Sequence, residues 1–169
     1  MLVDRRDPVN SFAAINAEEE RRAKEGLKVY RPMPNQVKFH ESSAGEAIVS
    51  GGKRSGKTVA VASEFASRVL GTPITLPNGK QIPLRFPIST PKDPLLFWVI
   101  GWDVDHIGQT LYGKLFEPGL FRVIRDKMSG IWRVFNPAAD DDAQRFSESE
   151  PAGALIPERL IDTTRGVHG

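Results

Sequence analysis

One octapeptide constrains this chain more than any other stretch of it. Residues 51–58 read GGKRSGKT and match the pattern G-x-x-x-x-G-K-[S/T] in full. A short apolar run at residues 47–50 comes directly before it, and residues 58–70 after it carry apolar side chains at helical spacing. This order predicts a buried strand, a glycine-rich loop and a helix in succession.

The residue types in this loop suit a chain of phosphate groups. Gly51 and Gly56 allow the backbone to curl with its N–H groups turned inward, and the helix that starts near Lys57 adds free N–H donors and its dipole. Lys57 brings a cation to the β- and γ-phosphates, and the Thr58 hydroxyl can ligate Mg²⁺. The alternative is a glycine-rich turn whose Lys57 and Thr58 face solvent by coincidence.

Further residues extend the predicted site. Arg54 could reach the γ-phosphate of its own or a neighbouring subunit, or could be a solvated arginine at a loop tip, whereas Lys53 is more simply a surface charge. The Tyr30 ring could stack on adenine, and the Gln36 amide could pair with its donor and acceptor edge, unless Gln36 only opens a short helix. The predicted nucleotide-binding residues are Tyr30, Gln36, Gly51, Gly52, Lys53, Arg54, Ser55, Gly56, Lys57 and Thr58. Lys57 and Arg54 are the candidate catalytic residues, and Thr58 is the candidate metal ligand.

The remaining pattern indicates an α/β fold. Residues 95–100 form a continuous apolar run, typical of a strand covered on both faces, and residues 104–115 carry apolar side chains at steps of three and four. We therefore predict a P-loop NTPase-type, mainly parallel sheet flanked by helices, incomplete in this chain. Residues 121–125 and 131–135 predict a small antiparallel hairpin, and the Asn78-Gly79 pair predicts a tight turn.

Composition limits the class of protein. Of the 169 residues, 40% are hydrophobic and 26% are charged, as in soluble globular proteins. A net charge of +2 excludes a highly basic nucleic-acid-coating protein, and the lack of cysteine excludes disulfides, zinc fingers and thiol nucleophiles. The longest apolar run, residues 95–100, is too short for a membrane helix, and the N-terminus lacks a signal-peptide pattern, so we expect a cytoplasmic protein.

A longer set of residues resembles the large terminase subunit of tailed bacteriophages. The resemblance covers about residues 28–162 and rests on Tyr30, residues 34–36, 39–42, 51–58, 98–112 and 155–159. It implies an ATP-driven motor that packages double-stranded DNA into a procapsid in the cytoplasm of the bacterial host. The implied cofactors are ATP and Mg²⁺, and the implied partners are DNA, the portal protein, the small terminase subunit and further copies in a ring. By resemblance, Lys57 and Thr58 bind phosphate and Mg²⁺, Gln36 contacts adenine and Arg54 is the arginine finger.

The chain also departs from that family, whose members run to several hundred residues and carry an acidic Walker B pair and a nuclease domain. Here Asp103 could supply a magnesium carboxylate or simply cap a helix, and residues 136–150 predict an acidic, solvated loop. We expect residues 1–27 to form a helical arm and residues 28–169 a partial P-loop ATPase domain without a nuclease. An ATPase and a nucleotide-binding or assembly module without turnover both remain open, and a helicase-like ATPase is a third interpretation.

Overall fold

Helices and a small antiparallel sheet make up the structure, a computed structural model that describes residues 8–84, 95–100, 103–140, 146–162 and 166–167. The α-helices are α1 (Pro8–Ala23), α2 (Gly26–Val29), α3 (Pro34–Glu41), α4 (Lys57–Leu70), α5 (Val104–Ile107) and α6 (Gly113–Phe116). A π-helical segment at Gly108–Tyr112 joins α5 to α6, and a 3₁₀ turn lies at Glu158–Leu160. The strands are β1 (Arg122–Asp126), β2 (Trp132–Val134), β3 (Phe146–Pro151), β4 (Ile161–Asp162) and β5 (Gly166–Val167).

The main sheet has the strand order β2-β1-β3, and both of its pairings are antiparallel. Val123 in β1 lies opposite Val134 in β2 and opposite Glu150 in β3. The predicted hairpin is therefore confirmed as β1 and β2. The β4 and β5 strands form a separate antiparallel pair. The predicted turn at Asn78-Gly79 is also confirmed, since an antiparallel bridge joins Thr75 to Gln81 around it.

The predicted parallel sheet, and with it the P-loop NTPase-type fold, is wrong. Every strand pairing among the described residues is antiparallel, and residues 47–50 and 95–100 both lie outside strands. Ile48 is 89% exposed, and exposure alternates along residues 95–100, where Trp98 is 75% exposed while Phe97 packs against the core. An apolar run indicates that its side chains are to be buried, but it does not determine whether its backbone pairs with another strand. Residues 95–100 therefore have one covered face, not two.

Helix α4 supplies one side of the main core. Its residues Ala62, Ala66 and Val69 are buried, which fits the helical spacing that predicted this element. They pack with Leu27, Tyr30, Ile74, Leu76, Ile82, Leu115, Leu155 and Ile156. A second cluster beneath the sheet contains Val29, Val123 and Ala152, and Phe121 contacts both clusters.

A buried segment late in the chain passes beneath the corner between α1 and α2. The Gly26 N–H donates to the Ala154 carbonyl at 3.0 Å, and the Gly153 N–H donates to the Lys24 carbonyl at 2.8 Å. A Cβ atom on Gly26 would lie 2.7 Å from the Gly153 carbonyl oxygen, so this crossing requires glycine. The Arg159 guanidinium adds an ion pair with the buried Glu25 at 2.7 Å.

The helix predicted in the N-terminal arm is present as α1, and its C-terminal end contacts the rest of the chain. Lys24 forms an ion pair with Glu150 of β3, and its ammonium lies 4.6 Å from the centroid of the Trp132 ring.

Within the described residues, no helix combines the length and the hydropathy that crossing a bilayer would require.

The predicted acidic loop at residues 136–150 is only partly a loop, because residues 146–150 belong to β3. Asp140 is buried at 2% exposure and receives two hydrogen bonds of 2.7 Å from the Arg133 guanidinium. The Asn136 backbone N–H donates to the same carboxylate at 2.8 Å. The Asp140 carboxylate therefore stabilises the end of the β1–β2 hairpin. Asp141 and Asp142 lie outside the described residues.

Candidate functional site

Loop 51–58 is curled around the ammonium group of Lys57. The Lys57 Nζ atom donates to the Gly51 carbonyl at 2.6 Å and to the Gly52 carbonyl at 2.7 Å. It also lies 3.3 Å from the Ser55 hydroxyl oxygen. Three loop residues thus surround a single point, and the segment is not extended.

Helix α4 begins at Lys57, directly after Gly56. Gly56 has φ +76°, in the left-handed region that favours glycine, and this conformation turns the loop into the helix. The Gly56 carbonyl accepts the N–H of Ala60 at 3.0 Å, the first hydrogen bond of the helix. The N–H groups of the first turn of α4 have no acceptor within the helix, so Lys57 and Thr58 lie where an anion is stabilised.

The structure brings Gln36 of α3 against the same glycine. The Gln36 Nε2 atom donates to the Gly56 carbonyl at 3.0 Å. The Gln36 Oε1 atom accepts the Met33 backbone N–H at 2.8 Å and the Tyr30 hydroxyl at 3.2 Å. The amide oxygen is thus fully engaged, and these contacts use one of the two Nε2 hydrogens of a side chain that is only 6% exposed. In this arrangement Gln36 can donate to an adenine nitrogen but cannot also accept from the adenine amino group.

Tyr30 lies beside the loop but is closed to a base. Its ring is 2% exposed and stacks on Phe121, with 5.9 Å between the ring centroids. Burial raises the pKa of the Tyr30 hydroxyl well above its ordinary value, so the group stays protonated and able to donate. Tyr30 is connected to the site by the hydrogen bond of its hydroxyl to Gln36.

Three further residues, to which the sequence analysis assigned no role, continue this chain of contacts. His40 is completely buried, with Nε2 2.9 Å from the Tyr30 hydroxyl oxygen and Nδ1 2.9 Å from Glu64 Oε2. The other Glu64 oxygen accepts Arg68 Nε at 3.0 Å. We call Tyr30, Gln36, His40, Glu64 and Arg68 the Gln36 network. A faint signal was present in the spacing, since Gln36 and His40 lie four residues apart, as do Glu64 and Arg68, and so share helix faces.

Lys53 and Arg54 lie at the exposed tip of loop 51–58, outside the Gln36 network. Arg54 has φ +62°, the one non-glycine residue with positive φ among the described residues. A left-handed conformation costs a non-glycine residue about 1–2 kcal/mol. The loop therefore displays the Arg54 guanidinium at the cost of local strain.

Mg²⁺ binds oxygen ligands, and Thr58 offers a hydroxyl oxygen in the first turn of α4. Among the described residues, no group of three or more His, Cys, Asp or Glu side chains could hold a metal ion. Asp103 is exposed and directly precedes α5, as a helix-capping residue would, and Asp140 is bound to Arg133. Mg²⁺ usually takes few protein ligands beside phosphate oxygens and water, so a hydroxyl at the start of α4 is chemically suitable.

No protein-family model, curated protein or solved structure matches the chain. The features that indicate a function are therefore loop 51–58, helix α4 and the Gln36 network, together with the resemblance of sequence.

Proposed function

We propose that loop 51–58 binds the triphosphate of ATP together with Mg²⁺, and that the chain is the ATP-binding part of a phage DNA-packaging motor. The observation that supports nucleotide binding is the position of the Lys57 ammonium, held inside a curled loop at the start of α4. The packaging role is supported by the resemblance to large terminase subunits.

Binding requires Lys57 to change partners. Its ammonium donates to the Gly51 and Gly52 carbonyls, which are neutral acceptors on an exposed loop. With a triphosphate the acceptor oxygens are ionised as well as the ammonium donor, so attraction between opposite charges is added to the hydrogen bonds. The triphosphate would therefore displace the two carbonyls, while Thr58 would supply the protein ligand to Mg²⁺.

The resemblance also supplies the proposed setting. The partners would be double-stranded DNA, the portal protein, the small terminase subunit and further copies in a ring, in the cytoplasm of the bacterial host. Arg54, on the exposed tip of the loop, would act on the γ-phosphate of its own or a neighbouring subunit.

The deciding experiment compares Lys57→Met with Lys80→Met. The first variant removes the ammonium inside the loop, and the second removes an exposed ammonium at the Asn78-Gly79 turn. Calorimetric titration with ATP and Mg²⁺ should show affinity weakened about 100-fold in Lys57→Met, which corresponds to about 2.7 kcal/mol. Lys80→Met should bind as the wild type does. Equal affinity in all three proteins would reject the proposal.

Phosphate release separates the motor from a module that holds nucleotide without turnover. Magnesium-dependent release that increases with duplex DNA would support the motor, and ATP binding without release would support the module. ATP-driven strand separation would instead favour the helicase-like interpretation.

A further inference from the structure

The peptide group between Gly56 and Lys57 is the point at which helix α3 contacts the end of loop 51–58. The Gly56 carbonyl accepts Gln36 Nε2 at 3.0 Å and the Ala60 N–H at 3.0 Å. These two bonds use both lone pairs of the carbonyl oxygen. The orientation of this carbonyl is therefore fixed from two sides, by a side chain of α3 and by the first turn of α4.

The same peptide group carries the Lys57 N–H. In a trans peptide the C=O and N–H groups lie in one plane and point in opposite directions. By holding the Gly56 carbonyl, the Gln36 side chain therefore also sets the direction of the Lys57 N–H. That N–H belongs to the first turn of α4, whose N–H groups have no acceptor within the helix and are available to a phosphate oxygen.

Two backbone groups alone fix the orientation of the Gln36 amide. The Met33 N–H can only donate, so Oε1 faces it at 2.8 Å, and the Gly56 carbonyl can only accept, so Nε2 faces it at 3.0 Å. A reversed amide would set donor against donor and acceptor against acceptor. Gln36 is also only 6% exposed, so most of its side chain is closed to a ligand.

An amide held in this way does not distinguish adenine from guanine. Adenine presents the N7 acceptor beside the N6 amino donor, whereas guanine presents the N7 and O6 acceptors. Selection of adenine requires an acceptor that faces the N6 amino group, and Gln36 Oε1 is turned to the Met33 N–H instead. The second Nε2 hydrogen could meet N7 of either base. The Tyr30 ring, 2% exposed and stacked on Phe121, offers no face to a base.

We propose that Gln36 is a positioning residue of the phosphate site, and that this site binds purine nucleoside triphosphates without selecting the base. The inference rests on the proposed function of loop 51–58. Gln36 acts on the triphosphate through the Gly56 carbonyl and the Lys57 N–H. Affinity then comes from the phosphates and Mg²⁺, which ATP and GTP share.

The wild-type chain tests base selection directly. Calorimetric titrations with ATP, GTP and inorganic tripolyphosphate, each with Mg²⁺, compare ligands that share the phosphates and differ in the base. We expect the dissociation constants of ATP and GTP to lie within about threefold of each other. ATP binding more than about tenfold tighter than GTP binding would overturn this inference and leave the proposed function standing. If none of the three ligands binds, the proposed function is rejected and the inference with it.

Gln36→Ala removes the donor to the Gly56 carbonyl and leaves Lys57 in place. We expect ATP, GTP and tripolyphosphate all to bind about five- to tenfold more weakly, by the same factor. Tripolyphosphate decides the role of Gln36 because it has no base. Weaker ATP binding with unchanged tripolyphosphate binding would make Gln36 a base contact and overturn the inference. Asn35→Ala, which removes an exposed amide from the neighbouring position of α3, is the matched control and should keep the wild-type affinities.

A measurement without nucleotide separates positioning from a general loss of structure. The ¹⁵N shift of a backbone amide responds to hydrogen bonding at the preceding carbonyl. The Lys57 signal should therefore move in Gln36→Ala, while the signal of Val123 in β1 should stay in place. An unchanged Lys57 signal, or equal changes in both signals, would overturn the inference. If Gln36→Ala does not fold, the wild-type comparison of ATP with GTP still decides.

Discussion

The side-chain amide of Gln36 and the backbone carbonyl of Gly56 are joined by a hydrogen bond of 3.0 Å, although 20 residues separate them in sequence. This contact ties helix α3 to the residue from which helix α4 starts. The same carbonyl accepts the Ala60 N–H, so Gly56 connects the Gln36 network to the first turn of α4.

Gly56→Ala should be strongly destabilising. A Cβ atom there would lie 2.5 Å from Gln36 Nε2 and 2.7 Å from Met33 Cε, at a φ of +76°. Strain and displacement of Gln36 together should lower the free energy of unfolding by about 2–3 kcal/mol, measured by urea denaturation. Gly45→Ala is the control, because a Cβ atom at Gly45 meets nothing within 4 Å. Equal stability of the two variants would contradict the close packing of Gln36 on Gly56.

Arg54→Asn should distinguish the effect of the Arg54 charge on nucleotide affinity from the effect of the backbone conformation on stability. Asparagine tolerates the left-handed region better than arginine, so the variant should be as stable as the wild type or up to about 1 kcal/mol more stable. If the guanidinium reaches the γ-phosphate, the variant should lose about five- to tenfold in affinity for ATP but not for ADP. Calorimetric titration with both nucleotides measures the difference. Parallel changes for ATP and ADP would place Arg54 away from the γ-phosphate.

Removal of Arg133 should leave the buried Asp140 carboxylate without its cation. The guanidinium makes two bonds of 2.7 Å to Asp140, and this pairing raises the pKa of Arg133 above its ordinary value. Arg133→Met should therefore lower the free energy of unfolding by about 2–3 kcal/mol. Adding Asp140→Asn should restore part of the loss, because the buried group is then neutral. No recovery in the double variant would show that the loss comes from packing of the Arg133 side chain and not from the unpaired charge of Asp140.

The turn between β1 and β2 should weaken in acid. Hydrogen bonds from the Ser129 backbone and hydroxyl, and from the Met128 N–H, lower the pKa of Asp126 below its ordinary value of 3.8. A lowered pKa in the folded state means that the stabilising contribution is present above 3.8 and is lost as the pH falls through the folded-state value. Urea denaturation across this range should show a smaller acid-dependent loss in Asp126→Asn than in the wild type. Ser129→Ala should behave in between, since the backbone bond to Asp126 remains.

Local patterns predicted the local structure of this chain well. Helices α1 and α4, the β1–β2 hairpin and the Asn78-Gly79 turn all lie where residue spacing and turn residues placed them. Each depends on contacts between residues near one another in sequence, so a short window contains the necessary information.

The long-range arrangement was not predictable in the same way. The two apolar runs at residues 47–50 and 95–100 suggested parallel strands, but apolar character does not determine a pairing partner. Within the candidate site, the approach of Tyr30 and Gln36 to loop 51–58 was anticipated only as contact with adenine. The bond of His40 to Glu64 spans 24 residues and two helices, and no motif records such a pairing.

The ion pair between Glu25 and Arg159 joins two residues that lie 134 positions apart in sequence. It can therefore form only after both segments have left the ribosome. Helices α2 and α4 are made early, and the segment that packs on them contains Leu155 and Ile156 and is made later. At rates of synthesis of ~5–20 residues per second, the interval is on the order of 10 s. During that time the apolar faces of α2 and α4 lack the Leu155 and Ile156 side chains that cover them in the folded protein.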